Sequence, residues 1–210
     1  MAYNVLVVDD QNISRQLFEM YINGSEQYHL AGSVASAALA DIYCEAYPID
    51  LILMDVVMND GSNGLQEAAK IKKKHPSIKI IIVTSMPEVS YIKRAKEGGV
   101  DSFWYKELSK EPILQIMDRT MAGESVYPDD QPVVQIGMAS SEEFTEREID
   151  ILREIVTGAS NREIADKLNM SHYTVKTHIQ HMIDKTGLKN RTNLAVQARA
   201  LGLIISEEEI

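Results

Sequence analysis

The sequence predicts two folded parts in series. The first is a doubly wound α/β part built on a five-stranded parallel sheet, and the second is an all-α part of four helices. Three observations carry this expectation. Short runs that are apolar on both faces recur through residues 1–120, helical patterns separate them, and past Ser141 only helical periodicity remains. Strands buried from both sides read as continuous apolar runs, and their alternation with helices implies parallel pairing.

Taken in order, Tyr3–Val8 (YNVLVV) is the first such run, Leu51–Met54 (LILM) the clearest short one, and Ile78–Val83 the most β-branched. His29–Val34 and Asp101–Tyr105 are weaker versions. Between them, Ile13–Ile22 places Ile13, Leu17, Met20 and Tyr21 on one apolar face. A second helix carries Cys44, and Leu65–Ile71 runs into KKKHP, where Pro76 ends it. Val89–Ala95 and Leu108–Met121 complete the βαβαβαβαβα order. Residues 1–122 form this first domain. Residues 123–142, with Pro128, Pro132 and Asp129-Asp130, read as a linker. Residues 143–205 form the helical domain, and 206–210 an acidic tail. There, Thr145 and Glu148 have the spacing of a capping box. Ile149, Leu152, Ile155 and Val156 follow at helical spacing, Asn161–Leu168 is a short helix, and Ser171 caps Tyr173–Thr186, which stops at Gly187. Thr192–Leu201 is the last helix.

Composition narrows the function. The chain has 210 residues, 45% apolar and 25% charged, enough for real cores. No run approaches the ~20 apolar residues that span a bilayer. The N-terminus has no basic stretch of a secretory signal, so a soluble cytoplasmic protein without membrane association is expected. The one cysteine, Cys44, excludes an internal disulfide framework and a cysteine-based zinc finger. Net charge is −10, but it is unevenly spread. Residues 1–125 hold 12 basic and 17 acidic side chains, whereas residues 145–205 hold 9 basic and 7 acidic. A slightly basic C-terminal part on an acidic protein is compatible with DNA binding.

In a doubly wound sheet, chemistry gathers at the C-terminal ends of the strands. Here the first strand ends in Asp9-Asp10, the third in Asp55, the fourth in Thr84-Ser85 and the fifth in Lys106. Three carboxylates brought to one crevice repel one another unless a cation sits among them, and an all-oxygen set suits Mg²⁺. A lysine and a hydroxyl nearby are what a phosphoryl group needs, and a carboxylate in line with a phosphodonor is a competent nucleophile.

At these residues the first 122 positions resemble the receiver domain of two-component response regulators, a flavodoxin-like fold. The resemblance implies that Asp55 is the phosphoacceptor, that Asp10 and Asp9 serve Mg²⁺ with the Val57 carbonyl as a further ligand, and that Thr84 and Lys106 contact the phosphoryl group. Phe103 falls at the place of the aromatic whose burial follows the threonine. The chain departs from the family between Asp55 and Gly64. Asn59 stands where a proline is usual, and the loop is one residue longer.

The C-terminal part pairs Asn161–Leu168 with a helix opening Ser171-His-Tyr-Thr-Val-Lys-Thr-His178. A helix capped in this way offers free N–H groups to a phosphate and fits the DNA major groove. Thr145-Glu-Arg-Glu148, Gly158–Ala165, Ser171–His178 and Lys185–Arg191 together resemble the LuxR-type helix-turn-helix. Receiver plus this domain resembles the NarL/FixJ family. That resemblance implies base-facing Lys176, Thr177 and Gln180, and Ser171, Thr174, Lys185 and Arg191 as candidates for backbone phosphates. His178 would pack or meet a phosphate. The implied protein is no ordinary enzyme. A sensor histidine kinase phosphorylates Asp55, the protein dimerises, and the dimer binds paired half-sites of double-stranded DNA to regulate transcription.

Three other readings stay open on the residues alone, one of them a pure interaction module, against which salt-dependent binding to a specific duplex would count. A regulator that is never phosphorylated would follow if Asn59 and the longer loop disable the site. A phosphatase or flavin protein on the same fold would need a glycine- or hydroxyl-rich loop after the first strand, where Asp9-Asp10-Gln11 carries the opposite charge.

Overall fold

The computed structural model describes residues 2–86, 88, 90–106, 109–128 and 133–204. Val89 and Leu108, read above as the first residues of helices, and the tail 206–210 lie outside them. The described chain divides into two compact units, one holding most of residues 1–130 and the other most of residues 131–208.

In the first unit, β1 (Tyr3–Val8), β2 (Tyr28–Val34), β3 (Leu51–Met54), β4 (Lys79–Thr84) and β5 (Ser102–Tyr105) form one sheet in the order β2-β1-β3-β4-β5. Every pairing is parallel. The connecting helices are α1 (Asn12–Asn23), α2 (Ala38–Ala46), α3 (Gly64–Lys74), α4 (Ser90–Glu97) and α5 (Ile113–Met121). The central runs Val5–Val8, Leu51–Met54 and Ile80–Val83 are wholly buried, as strands covered on both faces must be. One face joins Val5, Val7, Leu51, Leu53, Ile81 and Val83 to Phe18 and Ile22 of α1 and Ile116 and Met117 of α5. The strand order reverses at β1/β3, which opens a crevice beyond their carboxyl ends.

The expected inner face of α1 is corrected. Ile13 is 83% exposed and Met20 61%, while Phe18 and Ile22 are the buried pair. Both sets have helical spacing, so periodicity alone does not choose between them. The aromatic ring decides it: Phe18 meets Trp104 edge-on at 6.3 Å above the sheet.

In the second unit, the segment read as linker contains a hairpin of β6 (Gln135–Ile136) and β7 (Ala139–Ser140), followed by a 3-10 turn at Ser141–Glu143. Helices α6 (Glu146–Val156), α7 (Asn161–Leu168), α8 (His172–Thr186) and α9 (Arg191–Ala200) follow. Each start has a side-chain cap. Thr145 forms the expected box with Glu148, Ser160 forms another with Glu163, and Ser171 and Asn190 accept from Thr174 N–H and Asn193 N–H. Ile149, Leu152, Ile155, Ile164, Val175, Ile179, Met182, Leu194 and Ala198 share one core with Ile136 of the hairpin. Asn169, at φ 57° and ψ 48°, makes the left-handed turn between α7 and α8.

Candidate functional site

Beyond the strand ends, Asp9, Asp10 and Asp55 each offer a carboxylate oxygen, all within 4.8 Å of one another. Asp9 and Asp55 are buried and Asp10 is half-buried, so the cluster opens on one side. The Lys106 ammonium donates to Asp9 Oδ2 and Asp55 Oδ2, both at 2.6 Å. Each carboxylate is also aimed by the main chain. Gln11 N–H donates to Asp9 Oδ1 at 2.9 Å, Val56 N–H to Asp55 Oδ1 at 2.7 Å, and Asn59 N–H to Asp10 Oδ2 at 2.8 Å.

The electrostatics are unbalanced, with three carboxylates facing one ammonium. Burial pushes the Asp55 carboxyl up to about 6, against the pull of Lys106 and with the help of Asp9. Burial works against the Lys106 charge, yet Asp55 and Asp9 outweigh it and raise its pKa. Hard oxygen donors with surplus negative charge are what a small divalent cation requires, and the set fits one.

The remaining predicted residues take adjacent places. Thr84, buried, ends β4, and its carbonyl accepts the Lys106 N–H at 2.9 Å. Phe103 is buried on β5, edge-on to Tyr105 at 4.9 Å and stacked with Tyr127 at 6.4 Å. Tyr127 escaped the sequence reading because it falls in the apparent linker. Its hydroxyl donates to the Val100 carbonyl at 2.8 Å, and Lys96 lies 4.8 Å over its ring. Val57, half-buried, bridges to Asn63.

Gly64 was noted for its spacing, and the structure supplies the reason for it. A Cβ there would lie 1.8 Å from the Asp55 carbonyl oxygen. The longer loop therefore still closes on Asp55. Gly64 N–H donates to the Val56 carbonyl at 2.8 Å, and buried Asn63 caps α3.

On α8, Lys176 and Gln180 are exposed, and Thr177 and His178 half-buried. Gln180 donates to Asp184 at 2.8 Å and Thr177 to the Tyr173 carbonyl at 3.0 Å. Ser171 and Thr174 share a hydroxyl contact of 2.7 Å at the helix start. Lys185 and Arg191 have partners within the unit. Lys185 donates to Glu148 at 2.9 Å and to the Glu143 carbonyl at 2.6 Å. Arg191 donates to Asn161 at 2.8 Å and to the Ala159 carbonyl at 2.7 Å. No helix among the described residues is long and apolar enough to cross a membrane.

The family model for the response regulator receiver domain matches residues 5–118. The model for bacterial regulatory proteins of the luxR family matches residues 142–198. Response regulator protein VraR of Staphylococcus epidermidis is 35% identical over 212 residues, covering 97% of this chain and 100% of that protein. VraR of Staphylococcus aureus is 34% identical with the same coverage. Among solved structures, one of two RcsB dimers bound to two parallel DNAs gives a TM-score of 0.63 at 18% identity, over 96% of this chain and 100% of that one. RcsB from Salmonella enterica serovar Typhimurium, bound to a promoter with phosphomimetic BeF3-, gives 0.62 at 19% identity, over 92% and 96%. At these identities the likeness to RcsB is one of fold.

Proposed function

Because the chain belongs to the response regulators that join a receiver domain to a LuxR-type DNA-binding domain, as in the NarL/FixJ family, we propose that Asp55 accepts a phosphoryl group from a sensor histidine kinase and that this switches DNA binding. The observation that carries the reading is the convergence of Asp9, Asp10, Asp55 and Lys106 at one point beyond the strand ends.

An Asp55 oxygen attacks the phosphorus of the donor phosphohistidine. The O–P bond forms as the P–N bond breaks, and the imidazole leaves with the electron pair. Asp9, Asp10 and Asp55, with the Val57 carbonyl, would hold Mg²⁺, which when bound neutralises charge on the transferred group. Lys106 then exchanges its Asp55 contact for a phosphoryl oxygen, and the Thr84 hydroxyl donates to another. Rearrangement of Thr84 and Phe103 changes the surface around α4 and β5, promoting dimerisation.

In the second unit α8 enters the major groove. Lys176, Thr177 and Gln180 face base edges, while Ser171, Thr174 and the start of the helix meet phosphates. His178 stands beside that contact. Lys185 and Arg191, whose donors serve Glu148, Glu143, Asn161 and Ala159, chiefly brace the helices that present α8.

Treatment with acetyl phosphate and Mg²⁺, read by intact mass and size-exclusion chromatography beside Asp55→Ala, tests the first step. One added phosphoryl mass that requires Asp55, with a shift to dimer, is expected. No added mass under donor excess would overturn phosphorylation as the switch.

A further inference from the structure

The loop between Asp55 and Gly64 is where this chain leaves its family, and it holds a contact that the usual residue could not make. Asn59 N–H donates to Asp10 Oδ2 at 2.8 Å. Proline at this place has no N–H. We infer that the Asn59 main-chain N–H is a positioning group for Asp10, fixing one carboxylate oxygen and leaving the other toward the cation.

The rest of the loop holds this N–H in place. Gly61 N–H donates to the Met58 carbonyl at 3.0 Å, closing a four-residue turn with Asn59 second. Asp60 accepts from the Ser62 N–H at 2.9 Å and the Ser62 hydroxyl at 2.7 Å. Ser62 Oγ in turn accepts the Ala37 N–H at 3.0 Å. The loop is therefore tied at its far end to the start of α2 and at its near end to Asp10. Asp10 is the most open of the three carboxylates, so it has most to gain from a fixed donor. A hydrogen bond to a metal-binding carboxylate fixes its orientation toward the cation. The second position of a four-residue turn is also where proline is well tolerated, so Asn59→Pro removes the N–H with little demand on the backbone.

The inference rests on the cluster's being a metal site, and the experiment separates the two. Mg²⁺ affinity is measured by titration calorimetry on the full chain for wild type, Asn59→Ala, Asn59→Pro and Asp10→Ala, with thermal unfolding in chelator for each. Asn59→Pro is expected to bind Mg²⁺ about tenfold more weakly, the low end for losing an outer hydrogen bond to a metal ligand. Asn59→Ala keeps the N–H and should match wild type. Unchanged unfolding of both in chelator would assign the loss to positioning. Equal or tighter binding by Asn59→Pro, or a loss shared by Asn59→Ala, overturns the inference while leaving the metal site standing. Absence of Mg²⁺ binding by wild type overturns the site and the inference together. If Asn59→Pro unfolds early, an ester-for-amide replacement at residue 59 removes the same N–H without the ring, and the same outcomes decide.

Discussion

Lys106 and Lys185 each lie against a buried carboxylate, yet their surroundings differ in kind. Around Lys185 the charges close. Glu148 takes its ammonium and the Thr145 N–H, the Glu143 carbonyl takes a further donor, and the Phe144 ring lies 5.2 Å away. Around Lys106 they do not, since Asp9 and Asp55 share its one ammonium and Asp10 adds a third carboxylate to the cluster. Balanced buried charge fixes a helix pair in register. Surplus buried charge costs stability and is held ready for something that brings positive charge.

The largest test of that contrast is Gly64→Ala. The added Cβ meets the Asp55 carbonyl, so the loop must withdraw from the site. Phosphorylation by acetyl phosphate should slow about a hundredfold, as displacements near 1 Å do. A wild-type rate in a mass-spectrometric time course would show that the loop does not set the site. Next is Lys106→Met, which strands two buried carboxylates. Urea unfolding at neutral pH should show a loss of about 3 kcal/mol, against about 1 kcal/mol for Lys185→Met. Equal losses would erase the distinction.

A smaller effect concerns acid. Burial opposes the charge on Glu148, but the Thr145 N–H and Lys185 outweigh it and hold its pKa below the ordinary 4.5. A depressed carboxylate contributes stability that is present above the unfolded value and lost as pH falls through the folded one. Glu148→Gln should flatten the stability–pH curve of the helical unit below about pH 4.5, read by circular dichroism. An unchanged acid limb would remove Glu148 from the network. The smallest is Lys176→Ala. It should leave thermal unfolding unmoved and reduce the salt dependence of DNA binding by about one ion if Lys176 meets a phosphate, or relax base preference if it meets a base edge. Lys185→Ala should instead lower the melting temperature first.

The sheet was legible because its three central strands, β1, β3 and β4, are built on runs of apolar letters. The site was legible because its acids, threonine and lysine stand at the ends of those runs. The face of α1 was not, since Ile13, Leu17, Met20 and Tyr21 match Phe18 and Ile22 in periodicity and only the fit of Phe18 to Trp104 separates them. The partners that Lys185 and Arg191 find within the helical unit were hidden because a basic residue in sequence carries no sign of its partner. The Asn59 N–H was hidden more deeply. It belongs to the main chain, and only the missing proline marked the place.

The hairpin before α6 has a practical consequence for anyone cutting the chain. Gly137, at φ 59°, brings the turn so close to α8 that a Cβ would lie 2.1 Å from the Thr186 carbonyl, and Met138 N–H donates to that same oxygen at 2.9 Å. Val134 and Ser141 tie the two sides together, through Ser141 N–H to the Val134 carbonyl at 2.8 Å and Val134 N–H to Ser141 Oγ at 3.1 Å. An excised DNA-reading fragment that begins at residue 143 would leave the last turn of α8 without this clasp and uncover the core at Ile136. One that begins a few residues ahead of Val134 keeps both.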